Sequence, residues 1–261
     1  MTDLGAIPSV AAIGLIAAVV LAGAVWVGSV LLRDVSIVDS VWSLLVLTPA
    51  VVAAVMLPHT GPRGATVLLL AGLWALRLAV YITWRHWGHD EDHRYQAIRA
   101  RNEPHFAWKS LYLVFGLQAV LAWCVSMPLL ATLASDVPWR WLDGLGILLF
   151  AVGLAIEAIA DVQLARFKAD GSNRGRVMAS GLWRYSRHPN YFGEFCVWWG
   201  LWLVALAAGA WWTVVSPLLM TVLLLKVSGV SLLEKDIGER RPAYRAYVSK
   251  TNAFFPWRPR A

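Results

Sequence analysis

Residues 181–194 read Gly-Leu-Trp-Arg-Tyr-Ser-Arg-His-Pro-Asn-Tyr-Phe-Gly-Glu, a polar stretch set between apolar runs. Arg184, Arg187 and His188 bring cations or potential cations, and Tyr185, Asn190, Tyr191 and Glu194 add hydrogen-bonding groups. Just upstream lie Arg166, Lys168, Arg174 and Arg176. Guanidinium groups bind phosphate oxygens two-pronged and never lose their charge. Pro189 fits the first turn of a helix, and the amino end of a helix favours anions. Asn190, Tyr191 and Glu194 would point from that end. The set suits a cytosolic cofactor that carries phosphates or a charged amino-acid part. In the tail, Glu234 precedes Tyr244 and Tyr247, spaced three apart. These rings either stack on a purine or pack the tail onto the rest of the chain. Attraction of anionic lipid headgroups by basic loops is the plainer explanation, but it leaves the accompanying Asn, His, Tyr and Glu without a purpose.

Other ionisable groups stand inside apolar runs, where they are costly and often functional. Glu157 and Asp161 are four apart on one helix face. They either snorkel to the interface or orient a partner inside the bundle. Arg77 and Tyr81 are four apart on another helix, with Arg85 one turn further on. Asp39, in Val38-Asp39-Ser40, either caps a helix or serves as a buried, protonated acid. Lys226 either complements a helix carboxyl end or meets a phosphate. The run Asp90-Glu91-Asp92-His93-Arg94-Tyr95 lacks a second ligand group at helical spacing, so no metal site is expected and the charges should pair across the loop. Cys124 and Cys196, each in an apolar run, read as packing residues.

The elements that must position these groups are membrane helices. The chain has 261 residues, 59% hydrophobic and 15% charged. A soluble domain of that size needs about 25% charged residues to cover its surface. Apolar runs long enough to cross a bilayer occur near 6–32, 40–58, 65–84, 111–134 and 141–162. The run 193–230 is too long for one crossing, and Ala207-Ala208-Gly209-Ala210 offers a turn that splits it into two. The expected fold is therefore all-α: a polytopic bundle of about seven segments, 1–261 forming a single transmembrane domain with a cofactor-binding half at about 141–261. Arg33 lies in the first loop, Arg85, Arg94, Arg99, Arg101 and Lys109 in the third, and Arg166 to Arg187 in the fifth. Lys235, Arg240, Arg241, Arg245, Lys250, Arg258 and Arg260 crowd the tail, while only Arg63 and Arg140 lie in the opposite loops. By the positive-inside rule the N-terminus is outside and the C-terminus cytoplasmic, as in an inner or plasma membrane. This distribution accounts for the net charge of +7 without nucleic acid. Trp139, Trp141, Trp211 and Trp212 flank span ends as interfacial anchors, whereas Trp198, Trp199 and Trp202 lie deeper, as packing or as a stacking surface.

SRHPNYFGE, preceded by GLWRY and followed by SGVSLLEK and YRAYVSKTNAFFPW, resembles the DUF1295 family of membrane proteins. That family is related to steroid 5α-reductases and, more distantly, to isoprenylcysteine carboxyl methyltransferases and sterol C14/C7 reductases. The resemblance covers most of the chain and is strongest over about 157–257. Carried over from the steroid 5α-reductase pattern, it implies an NADPH site lined by Arg77, Tyr81, Asp161, Lys168, Arg176, Asn190, Gly193, Glu194, Trp198 and Lys226. Two positions depart from that pattern. The Gln-Glu pair that faces the substrate carbonyl is absent from the second helix, with Asp39 the candidate stand-in. The carbonyl-polarising tyrosine of the third helix falls at Trp74.

The leading expectation is an NADPH-dependent reductase of a carbon–carbon double bond in a lipid. Lys168, Arg176 and Arg187 hold phosphates, Asp161, Asn190 and Glu194 hold ribose or nicotinamide, and Tyr81 or protonated Asp39 gives the proton. The alternative enzyme is an S-adenosylmethionine-dependent methyltransferase, in which Arg187, His188, Tyr191, Tyr244 and Tyr247 hold the cofactor. A non-enzymatic lipid-binding or transport protein is the third reading. The partners implied are the bilayer and a lipophilic small molecule, and the sequence carries no signal for oligomeric state.

Overall fold

The chain's architecture comes from a computed structural model that describes residues 6–133, 135–227, 229–230, 234 and 243–260. All regular structure among the described residues is helical. Five helical stretches are long and apolar enough to cross a membrane: Ser9–Leu32, Ile37–Met56, Pro62–His86, Phe106–Val125 and Trp141–Ala169. The chain divides into two compact units, one of residues 1–139 and 208–213, the other of 140–207 and 214–261.

In the first unit, α1 (Ala6–Leu32) is apolar throughout and ends at Arg33, which takes a left-handed φ of 55°. α2 (Ile37–Met56) packs beside it, with Pro49 facing Gly14, whose missing side chain leaves room for the proline ring. Asp39 is not the cap residue of α2. Ser36 precedes the helix, and Asp39 stands in its first turn, where a negative charge suits the dipole. α3 (Pro62–His86) begins on a proline and carries Arg85 and His86 in its last turn, the two placements that a helix end favours. α4 (His93–Asn102) is capped by Asp92, which accepts from the Arg94 amide at 2.9 Å. α5 (Phe106–Ser110) runs through a wide turn at Leu111–Gly116 into α6 (Leu117–Val125), and α7 (Met127–Leu133) follows. The fourth expected run, 111–134, is thus two helices, divided where the Ser126 hydroxyl bonds back to Trp123.

The second unit is built on α8 (Trp141–Ala169) and α9 (Pro189–Ala207). α8 outlasts its apolar run by about two turns, ending on Arg166 and Lys168, where cations complement its carboxyl end. Two glycines seven residues apart on each helix let the backbones touch. Gly146 faces Gly200, and a methyl on Gly146 would lie 2.7 Å from the Gly200 carbonyl oxygen. Gly153 faces Gly193, and there the corresponding approach is 2.6 Å. Small residues at such crossings are how membrane helices come close without a hydrophobic driving force. The chain turns after Ala207, with Gly209 at φ 89°, which a residue with a side chain rarely adopts. The expected split of the long apolar run therefore occurs where Ala-Ala-Gly-Ala allowed it. α10 (Val215–Val222) and, in the tail, α11 (Ala243–Lys250) complete the unit. The basic tail residues Lys235, Arg240 and Arg241 lie outside the described residues.

Candidate functional site

The stretch 181–194 folds as a short helical turn at Gly181–Arg184, a non-helical link, and the start of α9 at Pro189. The turn is pinned to α8 from two sides. The Trp183 indole donates to the Ala160 carbonyl at 3.0 Å, and the Leu182 amide donates to Gln163 Oε1 at 3.0 Å. The link is then sewn to the tail. The Arg187 amide donates to the Asn252 carbonyl, and the Trp257 amide to the Tyr185 carbonyl, both at 2.9 Å. The buried Ser186 hydroxyl donates to the Phe254 carbonyl at 2.8 Å, and Tyr247 donates to the Trp183 carbonyl.

At the centre of this seam Glu234 receives three side chains. Arg187 grips it with Nε on Oε1 and Nη2 on Oε2, both at 2.7 Å. His188 Nε2 lies 2.9 Å from Oε1, and the Tyr244 hydroxyl donates to the same oxygen at 3.5 Å. The remaining arm of Arg187 donates to the carbonyls of Thr251, at 2.5 Å, and Val248, at 3.2 Å. Burial opposes the charge on Glu234. The hydrogen bonds from His188 and Arg187, and their charges, outweigh it and hold the carboxyl at about 2. Burial and the Glu234 charge push the Tyr244 phenol up to about 12, and burial raises Tyr247 as well. His188 stacks on Tyr191, centroids 5.6 Å apart and planes within 5°. Arg187, His188, Tyr191, Glu234, Tyr244 and Tyr247 are thus gathered in one place. Arg187, however, spends its donors on Glu234 and the tail backbone.

One turn away along α8, Asp161 Oδ1 accepts from Asn190 Nδ2 at 3.2 Å. Glu157 and Asp161 are both buried, so they do not snorkel to an interface. Glu157 lies where its backbone meets Gly193, and Glu194 is also buried. Tyr185 is exposed, as is Lys226 at the end of the 211–227 helical segment.

Beyond the end of α8, a cavity of about 450 Å³ opens between Leu164, Phe167 and the loop 170–178. Lys168, Arg174 and Arg176 all line it, with Asn173, the glycines Gly171 and Gly175, and Asp170, whose carboxylate accepts from the Ser172 amide at 2.9 Å. Three cations around one opening, with a turn of small residues, suit phosphate oxygens. Arg174 is the member of this set that the family pattern did not supply. Its signal in the sequence was its place two residues before Arg176 in a glycine-containing turn.

In the first unit, Asp39 accepts from Arg94 Nη2 at 2.7 Å and from the Tyr95 hydroxyl at 2.6 Å. Both carboxyl oxygens of Asp39 are thus engaged by the α4 residues. Burial, then the Asp39 charge, raise the Tyr95 phenol, so Tyr95 keeps its proton and donates it. The neighbouring loop charges pair as expected: Glu91 takes Arg99 at 2.7 Å and Asp92 takes Arg94 at 2.9 Å. Tyr81 keeps other company, its ring 5.7 Å from the Arg85 guanidinium and 6.2 Å from Trp84. Arg77, half-buried, is one turn behind it, and Trp74 is buried. Sequence reasoning placed Arg63 in an outer loop. It is buried, donating to the Val137 and Pro138 carbonyls at 2.6 and 3.0 Å.

A family model described as "Protein of unknown function (DUF1295)" matches residues 25–251. The chain belongs to the DUF1295 family. Its similarity to an uncharacterised protein of Schizosaccharomyces pombe is 26% identity, covering 94% of this chain and 79% of that one. Two further likenesses are short. A steroid 5-alpha-reductase of Gossypium hirsutum is 39% identical over 62 residues, 24% of this chain and 23% of the relative. A probable O-methyltransferase of Ustilaginoidea virens is 38% identical over 53 residues, 20% of this chain and 18% of the relative. No solved structure matches. The DUF1295 membership and these partial likenesses point to a membrane enzyme.

Proposed function

We propose that this protein is an NADPH-dependent membrane reductase that saturates a carbon–carbon double bond in a lipid or steroid-like substrate. The observation that carries the proposal is the convergence of Lys168, Arg174 and Arg176 on one cavity. That donor set fits a nucleotide with several phosphates and is surplus for a cofactor that has none. The partial likeness to a steroid 5-alpha-reductase supports the same reading.

In this reading Lys168, Arg174 and Arg176 hold the phosphates from the cytoplasmic face, where the basic loops lie. Asp161, Asn190 and Glu194 hydrogen-bond the polar groups of the nucleoside. The nucleotide, when bound, supplies the hydride, and the chain supplies binding, orientation and a proton. Arg187, Glu234 and His188 are positioning residues: they fix stretch 181–194 against the tail and so set where Asn190 and Glu194 stand. Tyr81 is proposed as the proton donor from the sequence alone. Asp39, engaged by Arg94 and Tyr95, is not assigned that role in this reading.

The test uses the full chain in lipid nanodiscs, titrated with NADPH, NADH and S-adenosylmethionine in a melting assay. A ligand at about 100 times its Kd raises stability by about 2.7 kcal/mol. NADPH should raise the melting point, and Arg176→Ala should remove most of the rise. No response to NADPH, with Arg176→Ala indistinguishable from the parent, overturns the proposal.

The second reading is an S-adenosylmethionine-dependent methyltransferase of a lipid, favoured by the likeness to the probable O-methyltransferase. It leaves the three cations of the cavity without a phosphate. A rise in melting point with S-adenosylmethionine and none with NADPH would replace the first reading with this one.

A further inference from the structure

The depth of the tail follows from its partners in the second unit. Gly193 of α9 touches α8 between Gly153 and Glu157. The apolar run of α8 continues to about 162, and Arg166 and Lys168 come after it. At about 1.5 Å per residue, Gly193 stands about 7–14 Å inside the level at which α8 turns polar. Phe192 and Phe195 flank Gly193 in sequence, so their rings lie near that depth. Phe254 and Phe255 of the tail pack edge-on against both, with centroids 5.7–6.0 Å apart. Part of a basic tail thus reaches back past the level where α8 becomes polar.

This packing buries Phe254, whereas Phe255 stays 61% exposed and Trp257 72% exposed. Their exposure is built in, because the backbone on either side is held. The Trp257 amide donates to the Tyr185 carbonyl, and the Arg260 amide to the Lys250 carbonyl at 2.8 Å. Large rings fixed outward at this depth meet acyl chains and headgroups, where amphipathic aromatics are most at home. Arg258 and Arg260, both exposed, follow them. Among the described residues neither has a carboxylate partner, and the Arg260 side chain makes one long bond, 3.4 Å, to the Asn252 amide oxygen. Guanidinium groups without a carboxylate, next to inserted rings, select anionic phosphate headgroups.

We propose that residues 254–260 form an interfacial hook that binds anionic phospholipid. Phe255 and Trp257 enter the leaflet, and Arg258 and Arg260 hold the lipid phosphates. The same segment is bonded to Tyr185 and Ser186, and Asn252 just before it holds the Arg187 amide, so lipid on the hook also steadies the stretch 181–194. The hook stands whichever cofactor the second unit takes.

The test puts p-benzoylphenylalanine in place of Phe255 or Trp257 in the full chain, in nanodiscs of equal phosphatidylglycerol and phosphatidylcholine. Adducts formed on irradiation are identified by mass spectrometry. Both positions should capture phospholipid, with phosphatidylglycerol enriched about fivefold. The same probe in place of Ser172, exposed in the loop beyond α8, should capture none. Arg258→Gln with Arg260→Gln should bring the two lipids to parity without stopping capture. All the replaced side chains are exposed, and a melting point near the parent's identifies folded samples. Hydrogen exchange of the Arg187 amide should be slower in phosphatidylglycerol than in phosphatidylcholine. Absence of lipid adducts at 255 and 257, or equal capture at 172, overturns the proposal. So do adducts to a second copy of the chain in place of lipid, parity of the two lipids in the parent, or an enrichment that survives loss of both arginines.

Discussion

Arg187 and Glu234 meet as two parallel hydrogen bonds, Nε to Oε1 and Nη2 to Oε2, each 2.7 Å long. They are 47 residues apart. One belongs to the link between α8 and α9, and the other lies in the tail ahead of α11. The same arginine holds two tail carbonyls, so a single side chain ties three parts of the second unit together. A lysine has one point charge and could not make this fork.

Glu234→Ala should therefore release the tail rather than merely remove a charge. It leaves Arg187 buried with its two strongest bonds gone, a change that costs about 3–5 kcal/mol for a buried pair. Limited trypsin digestion should cut after Arg245 or Lys250 many times faster in this variant than in the parent. Arg187→Lys should behave like a milder version of it. If neither variant alters the digestion rate, the seam does not depend on the pair.

The same pair predicts an acid-labile tail. Glu234 is held at about 2, below its ordinary 4.5. A depressed carboxyl contributes stability that is full above the unfolded value and is lost as pH falls through the folded one. The loss should thus fall between about pH 4.5 and 2, and should not exceed about 1–2 kcal/mol once solvent screening is allowed for. Hydrogen exchange of the amides at 243–260, compared at pH 5, 4 and 3, should show protection declining in that order. Glu234→Gln should flatten the profile, because its side chain no longer titrates.

The glycine crossing of α8 and α9 gives a prediction of different origin. Alanine at Gly153 would put a methyl 2.6 Å from the Gly193 carbonyl oxygen and 2.8 Å from the Val197 amide nitrogen. Backbone cannot swing aside as a side chain can, so the helices must part. Gly153→Ala should destabilise by about 1–3 kcal/mol, typical of overpacking, and Gly193→Ala similarly. Gly72→Ala, where nothing lies within 4 Å, is the control and should be neutral or slightly stabilising. Thermal melts in nanodiscs measure all three.

Which of these features could be read from the chain follows from their range. The turn at 207–210 was legible because glycine among alanines interrupts an apolar run too long for one crossing. The helices were legible because hydrophobicity sums over a score of residues. Pro189 as the start of α9 was legible from its missing amide proton. The job of Arg187 was not, because a string of cations does not say which of them has a carboxylate waiting 47 residues away. Asp39 was ambiguous for the same reason. None of its near neighbours in sequence is charged, and Arg94 and Tyr95 reach it only when α4 folds back. The resemblance put Gly193 in a cofactor site, and in the fold it lies against Gly153 and Glu157 of the neighbouring helix. The twin spacing 146/153 and 193/200 was present in the sequence, but only the pairing of the two helices gives it meaning.

Asp39 and Tyr81 can now be separated by experiment. Asp39 accepts from a cation and a phenol, so its removal should loosen α4 rather than stop a reaction. Asp39→Asn keeps the size but weakens the Arg94 contact, and should lower the melting point by the equivalent of about 1–2 kcal/mol. Nucleotide binding in the second unit should be unaffected. Tyr95→Phe should reproduce the effect, and the double variant should cost less than the sum, since both act through the same carboxylate. Tyr81 is the group assigned the proton in the proposed reduction. Tyr81→Phe should leave the melting point and nucleotide affinity near those of the parent while lowering turnover by about 10²-fold or more. Single-turnover oxidation of NADPH with an accepted lipid, set beside melting curves, reads both residues at once. If Asp39→Asn stops turnover without touching stability while Tyr81→Phe is silent, the two assignments must be exchanged.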